Sequence, residues 1–294
     1  MNRLLERLNS TETLVADGAT GTNLQRLGLK PGTPPEDLVI DQPELLLELS
    51  RSFVESGSDI ILTCTFGGTR LRMKDSRYVE RVVEVNTRAV ELACRAASGR
   101  AGVLVAGSMG PTGQLLKPFG PLTVEEARGA YTEQAGALAA AGVDFLLIET
   151  MFALEEATAA FEGARSVTGL PIVVSFSYDR GTRTMMGVKP SQVMKTYKEM
   201  GAAAVGGNCG TTLENMEKVV QEYAQTAPGF PLWVKPNAGL PRMDPETNMA
   251  AYDVTPEQMA GYAKKFIAGG ARVVGGCCGS TPDHLAAIAG HVKH

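Results

Sequence analysis

The chain has 294 residues, 44% of them hydrophobic and 20% charged, which is ample for a large buried core and too apolar for disorder. A formal net charge of −4 and the lack of any basic run argue against a nucleic-acid partner, and no apolar stretch reaches the ~20 residues that span a bilayer. The opening residues 1–10 alternate charge with leucine, without the apolar centre or cleavage site of a signal peptide. With five cysteines read as unpaired, the expected compartment is the cytoplasm, where thiols stay reduced.

Short apolar runs recur at even spacing: 14–16, 60–62, 103–106, 145–148, 172–175, 203–205, 232–234 and 273–274. Between them lie helical patterns at 43–56, 78–97, 124–141, 154–167, 191–200, 213–227, 256–268 and 282–292. Asp41 near Pro43, Thr123, Thr255 and Thr281 read as helix starts, and Gly57, Gly142, Gly201 and the pair Gly269-Gly270 as helix ends. Strictly alternating strand and helix implies parallel strands with right-handed crossovers. Eight such units predict an α/β fold, a single (β/α)8 TIM barrel over 1–294 preceded by a short helix.

Barrel enzymes build their sites from the C-terminal strand ends, so the residues just after each run matter most. After the first comes Asp17-Gly18-Ala19-Thr20-Gly21-Thr22, after the second Thr63-Cys64, and after the third Gly107-Ser108-Met109-Gly110-Pro111-Thr112-Gly113. The fourth is followed by Glu149, the sixth by Asn208-Cys209-Gly210, the seventh by Lys235-Pro236-Asn237-Ala238-Gly239, and the eighth by Cys277-Cys278-Gly279. One rim therefore gathers the polar and thiol groups.

Three thiols from two distant segments, Cys209, Cys277 and Cys278, fill three positions of a tetrahedral zinc and leave the fourth free, whereas a structural zinc is normally closed by four protein ligands. The open position invites a substrate thiol, because zinc deprotonates a coordinating thiol. Cys94, in a helical pattern, and Cys64, at a strand end, read as packing residues. Asp17 and Glu149 each close an apolar run, so their partly buried carboxylates need a cation, for which a substrate ammonium is suited. The alternatives are a loop cap for Asp17 and a helix-start acid for Glu149. The glycines after Asp17 would let backbone amides approach a carboxylate closely. Ammonium, carboxylate and thiol together describe an amino-acid thiol. Asn237 could face the metal or the substrate, or cap a turn.

The motifs Asp17-Gly18-Ala19-Thr20-Gly21-Thr22, Gly207-Asn208-Cys209-Gly210, Lys235-Pro236-Asn237-Ala238-Gly239-Leu240-Pro241 and Gly275-Gly276-Cys277-Cys278-Gly279-Ser280-Thr281-Pro282 resemble the zinc-dependent homocysteine S-methyltransferase family, over roughly residues 14–288. The resemblance implies a (β/α)8 barrel with one Zn2+ on Cys209, Cys277 and Cys278. It also implies homocysteine held by Asp17 and Glu149 with backbone contacts near Ala19 and Thr20, and Asn237 at a further zinc or substrate contact. Homocysteine's thiol, ionised at the metal, would take a methyl group and give methionine, a step of methionine biosynthesis.

Within that family the segments around Gly107 and Pro236 look closest to the homocysteine domain of cobalamin-dependent methionine synthase, whose methyl donor is methylcobalamin or another corrinoid. With no pterin-binding or cobalamin-binding domain in these 294 residues, that donor implies a separate corrinoid-carrying protein. The alternatives are S-methylmethionine or S-adenosylmethionine as a small donor, a non-catalytic zinc- or thiol-binding subunit, and another thiol or selenol as acceptor. Betaine would call for an aromatic cage, and 6% aromatic residues with one tryptophan offer little material for one.

Overall fold

A computed structural model describes residues 2–30, 32–245 and 249–293. Its strands are β1 (Leu14–Val15), β2 (Ile60–Leu62), β3 (Leu104–Met109), β4 (Phe145–Met151), β5 (Ile172–Phe176), β6 (Ala204–Asn208), β7 (Leu232–Lys235), β8 (Arg242–Met243), β9 (Ala250–Ala251) and β10 (Ala271–Val274). Eight of them pair in parallel in the order β1-β10-β7-β6-β5-β4-β3-β2, and β8 with β9 forms a separate antiparallel ribbon. A parallel bridge from Ala16 to Ile60 joins the two ends of the sheet, backed by the Asp17 N–H donating to the Ile60 carbonyl at 2.9 Å. The result is the expected (β/α)8 barrel.

Its helices are α1 (Arg3–Asn9), α2 (Thr20–Arg26), α3 (Leu38–Asp41), α4 (Pro43–Glu55), α5 (Val82–Ala97), α6 (Val124–Ala141), α7 (Leu154–Val167), α8 (Pro190–Glu199), α9 (Leu213–Thr226), α10 (Pro256–Ala268) and α11 (Pro282–Val292). Thr123 and Thr255 start α6 and α10 in reciprocal capping boxes with Glu126 and Gln258, and Thr281 does the same with His284. Asp41 departs from expectation. It closes α3 and accepts from Tyr78 and Arg77, while Gln42 is the N-cap of α4 and makes no side-chain cap. A 3-10 turn, Val79–Arg81, delays the start of α5 to Val82.

Both faces of the strands are buried, which explains why they read as continuous apolar runs rather than alternating ones. One set of side chains fills the barrel, including Leu104, Phe145, Leu147 and Trp233, with Phe145 and Trp233 edge to face at 6.0 Å. The other set meets the helices. Leu4 and Leu8 of α1 belong to the interior cluster and plug its floor. Anchoring α1 there, Asn2 Nδ2 donates to the Asp144 carbonyl and Arg7 to that of Gly102, both just ahead of strands. The floor is thus closed by apolar packing, leaving the opposite rim for chemistry. Among the described residues no helix is long and apolar enough to cross a membrane.

Candidate active site at the C-terminal rim

The structure brings Cys209, Cys277 and Cys278 together from the ends of β6 and β10, with all three sulfurs within 4.8 Å of one another. Backbone bonds fix the two cysteine segments on the end of β7 and the residues just after it. The Cys209 N–H donates to the Lys235 carbonyl at 3.2 Å, the Cys277 N–H to that of Pro236 at 2.8 Å, and the Ala238 N–H to that of Cys278 at 2.9 Å. Cys209 itself takes a left-handed backbone, φ 54, which turns the chain sharply at the strand end.

One point differs from the sequence reading. Cys209 and Cys277 are joined as a disulfide across a Cα separation of 5.8 Å, so the chain does not hold five unpaired cysteines. The physical reason is the convergence itself, since the ends of β6 and β10 aim both thiols at one point. Cys64, Cys94 and Cys278 are free. Cys64 and Cys94 pack against the hydrophobic core, as expected, and burial pushes both thiols up.

The donor set suits a metal. Tetrahedral zinc with Zn–S bonds of ≈ 2.3 Å sets its sulfurs about 3.8 Å apart, and Cys209 Sγ lies 3.8 Å from Cys278 Sγ. Burial pushes the Cys278 thiol up, against a hydrogen bond from Tyr252. Between Pro236 and Ala238, the residues after β7 that hold Cys277 and Cys278, Asn237 carries a buried Oδ1 with no hydrogen-bond partner. A buried carbonyl oxygen without a donor is costly, and a cation or an N–H of a ligand would satisfy it. Of the three readings open for Asn237, the turn cap leaves this atom unexplained.

Asp17 and Glu149 reach the same rim, 2% and 6% exposed. The cation that the burial of Asp17 demands is supplied by the chain itself, as Lys235 Nζ donates to Asp17 Oδ1 at 2.6 Å. The second Asp17 oxygen accepts from the Leu62 N–H at 2.7 Å. Glu149 Oε1 accepts from Ser108 Oγ at 2.6 Å. Burial drives the Glu149 carboxyl above the usual carboxylate range, Asp17 adds to that push, and the Lys235 ammonium and Ser108 oppose it. Glu149 belongs to β4 rather than following it, because the strand runs on to Met151 through a register shift.

The loop after β1 is stitched to the cysteine loop instead of lying open. The Ala19 N–H donates to Ser280 Oγ, Asn23 Nδ2 to the carbonyls of Ala19 and Ser280, and the Gly279 N–H to Thr22 Oγ1. Ala19 therefore spends its amide internally, and Thr20 opens α2. Gly18 is required by packing, since a Cβ there would sit 2.7 Å from the Phe53 ring.

Three rim residues escaped the sequence reading. Asn208 is fully buried; its Oδ1 accepts from the Thr150 N–H and Ser175 Oγ, and its Nδ2 donates to Thr150 Oγ1 and, at 3.8 Å, to Cys277 Sγ. Lys235 was legible only as part of a motif, and Tyr252 carried no signal.

Residues 14–292 match the model of the homocysteine S-methyltransferase family. The chain belongs to that family. It is 30% identical to a methionine synthase of Mycobacterium leprae over 98% of its own length, but spans only 25% of that protein. Among solved structures, the metallated and oxidised forms of the homocysteine methyltransferase MmuM from Escherichia coli each superimpose with a TM-score of 0.84 at 25% identity, over 98% and 99% of this chain and 99% of the other. The apo form gives 0.77. A methyltransferase from Methanosarcina mazei, 14% identical with a TM-score of 0.62 over 99% of this chain and 97% of the other, shares the fold.

Proposed function

We propose that this chain is a zinc-dependent S-methyltransferase that carries a methyl group from a methylcorrinoid, held by a separate protein, to the thiol of homocysteine, giving methionine. The observation that carries the reading is the convergence of three cysteine sulfurs beside the orphaned Asn237 oxygen and two buried acids. Cys209, Cys277 and Cys278, reduced, would hold one Zn2+. When bound, zinc supplies the Lewis acidity that ionises a thiol without a general base. Asn208 aims Cys277, and Tyr252 hydrogen-bonds Cys278. Glu149, beside the Asp17–Lys235 pair, receives the amino end of the acceptor and so orients its sulfur toward the three cysteines. Asn237, with its free oxygen, contacts either the metal or the substrate.

Support for a protein-borne donor comes from the rim. Phe66, Phe119, Met185, Met186 and Leu240 stand exposed on the loops that follow strands β2, β3, β5 and β7, and Met243 on β8, the collar against which a large donor would rest. A second reading has S-methylmethionine or S-adenosylmethionine as donor: a small donor needs no protein to present it, and the chain matches the homocysteine methyltransferase MmuM along 99% of both chains. The deciding test mixes the reduced, zinc-loaded protein anaerobically with homocysteine and methylcobalamin. Loss of the methylcobalamin absorbance with methionine formed supports the corrinoid reading. No change, with turnover of S-methylmethionine instead, selects the second.

A further inference from the structure

Two buried carboxylates at the rim create a demand for positive charge, and Lys235 already meets part of it. Its side chain is 3% exposed, as is that of Asp17, and the two form an ion pair at 2.6 Å. Both Asp17 oxygens are engaged, one by Lys235 and one by the Leu62 N–H. The rim therefore carries a resident ammonium, and the formal charge of Asp17, Glu149 and Lys235 together is −1 rather than the −2 of the two acids alone.

A site rejects an analogue that lacks a polar group by about 10⁴-fold or more when its own buried partners are then left unpaired, whereas a pocket whose groups are already satisfied discriminates only about 10- to 200-fold. Asp17 is satisfied by the chain's own groups. Rejection of an acceptor without an amino group thus rests on Glu149 alone, and Glu149 keeps its bond from Ser108.

We propose that Lys235 determines acceptor specificity: as the built-in counter-ion of Asp17, it lets the site take short mercaptocarboxylates that lack an α-ammonium, as well as homocysteine. The inference rests on the homocysteine reading of the site and narrows it. With 4-mercaptobutyrate, which is homocysteine without its amino group, the chemistry balances in the same way. The thiol proton goes to solvent, a bond forms between sulfur and the methyl carbon, and the bond from that carbon to the donor breaks with its electron pair leaving on the donor.

The test uses the full chain, reduced and loaded with Co2+, whose sulfur-to-metal charge-transfer absorbance reports thiol binding with no methyl donor present. Homocysteine and 4-mercaptobutyrate are titrated against wild type, Lys235→Met, Lys235→Arg and the double variant Asp17→Asn with Lys235→Met, which leaves no unpaired charge if the single variant folds poorly. The expected Kd ratio of the two thiols in wild type is about 100 or less, rising at least about tenfold in Lys235→Met, staying at the wild-type value in Lys235→Arg and returning toward it in the double variant. A wild-type ratio of about 10⁴, or one that Lys235→Met does not change, overturns the inference while leaving the family reading intact. No change in the cobalt spectrum with either thiol overturns both.

Discussion

Replacing Asn208 by alanine separates holding the rim together from binding the metal. The side chain is fully buried, and its carbonyl serves two donors, the Thr150 N–H at 3.0 Å and Ser175 Oγ at 2.6 Å. A buried donor stripped of its acceptor costs about 1–3 kcal/mol, and the serine hydroxyl can rotate toward another partner. The expected loss of stability is therefore about 2–4 kcal/mol, read as a lower urea midpoint. The amide also donates to Cys277 Sγ, so it orients one of the proposed ligands. Deleting such a support typically lowers metal affinity about 10- to 100-fold, or about 1.4–2.8 kcal/mol, measured by competing the reduced protein against a chromophoric zinc chelator. Wild-type zinc affinity in Asn208→Ala would refute the assignment and leave Asn208 a residue of the fold alone.

Cys278→Ala is expected to abolish zinc binding and methyl transfer with the circular-dichroism spectrum unchanged, because the thiols lie at strand ends and not in the core; unfolding on chelation would show a structural metal instead. Glu149→Gln should remove the amino-end contact and weaken homocysteine binding in the cobalt titration. Because burial raises the folded-state pKa of Glu149, its ionisation opposes folding, so wild-type stability falls as pH rises from about 4.5 through the folded value. Urea unfolding at several pH values should accordingly show Glu149→Gln gaining on wild type over that rise, with the difference gone below about pH 4.5. Leu4→Ala, which opens a cavity in the barrel floor, should cost about 2–5 kcal/mol of stability with zinc affinity unchanged, as seen by denaturation and chelator competition.

The barrel was legible because each of its units is local. Eight apolar runs, each followed by a helical pattern and framed by Thr123, Thr255, Gly142 or their equivalents, need no long-range information to be counted. The departures lie where tertiary contacts decide. Asp41 looks like a helix cap until Tyr78 and Arg77, almost forty positions on, claim its carboxylate. The three cysteines, the two acids and Asn237 were legible from chemistry and from their places after strands. What the sequence could not show was pairing. Lys235 stands 218 positions from Asp17, and only the ring closure of β1 on β10, with β7 beside it, turns that lysine into the aspartate's counter-ion. Tyr252 follows the β8–β9 ribbon, and only the folded loop brings it to Cys278 and against Gly279, where an added Cβ would lie 2.2 Å from its ring.

Among the described residues, Thr150 and Cys209 are the two non-glycine residues with positive φ, at 61° and 54°. Such conformations cost about 1–3 kcal/mol each and persist where the surroundings over-determine them. Glycine at 209 would relieve the backbone, as it does at Gly210 with φ 79, but glycine carries no sulfur. Thr150 is held by both its N–H and its hydroxyl on Asn208, the residue that precedes Cys209 and donates to Cys277. One amide thus links the strained turn beside Glu149 to the thiols, so that the acid proposed for the acceptor's amino end and the sulfurs proposed for its thiol are set by a common support. Two groups that must grip opposite ends of a small molecule gain from being fixed to each other, because an error of 1 Å between them misplaces the reacting sulfur. The strain sits on the rim while the floor is packed with Leu4, Leu8 and Trp233, which lets the barrel tolerate it without surrendering the fold.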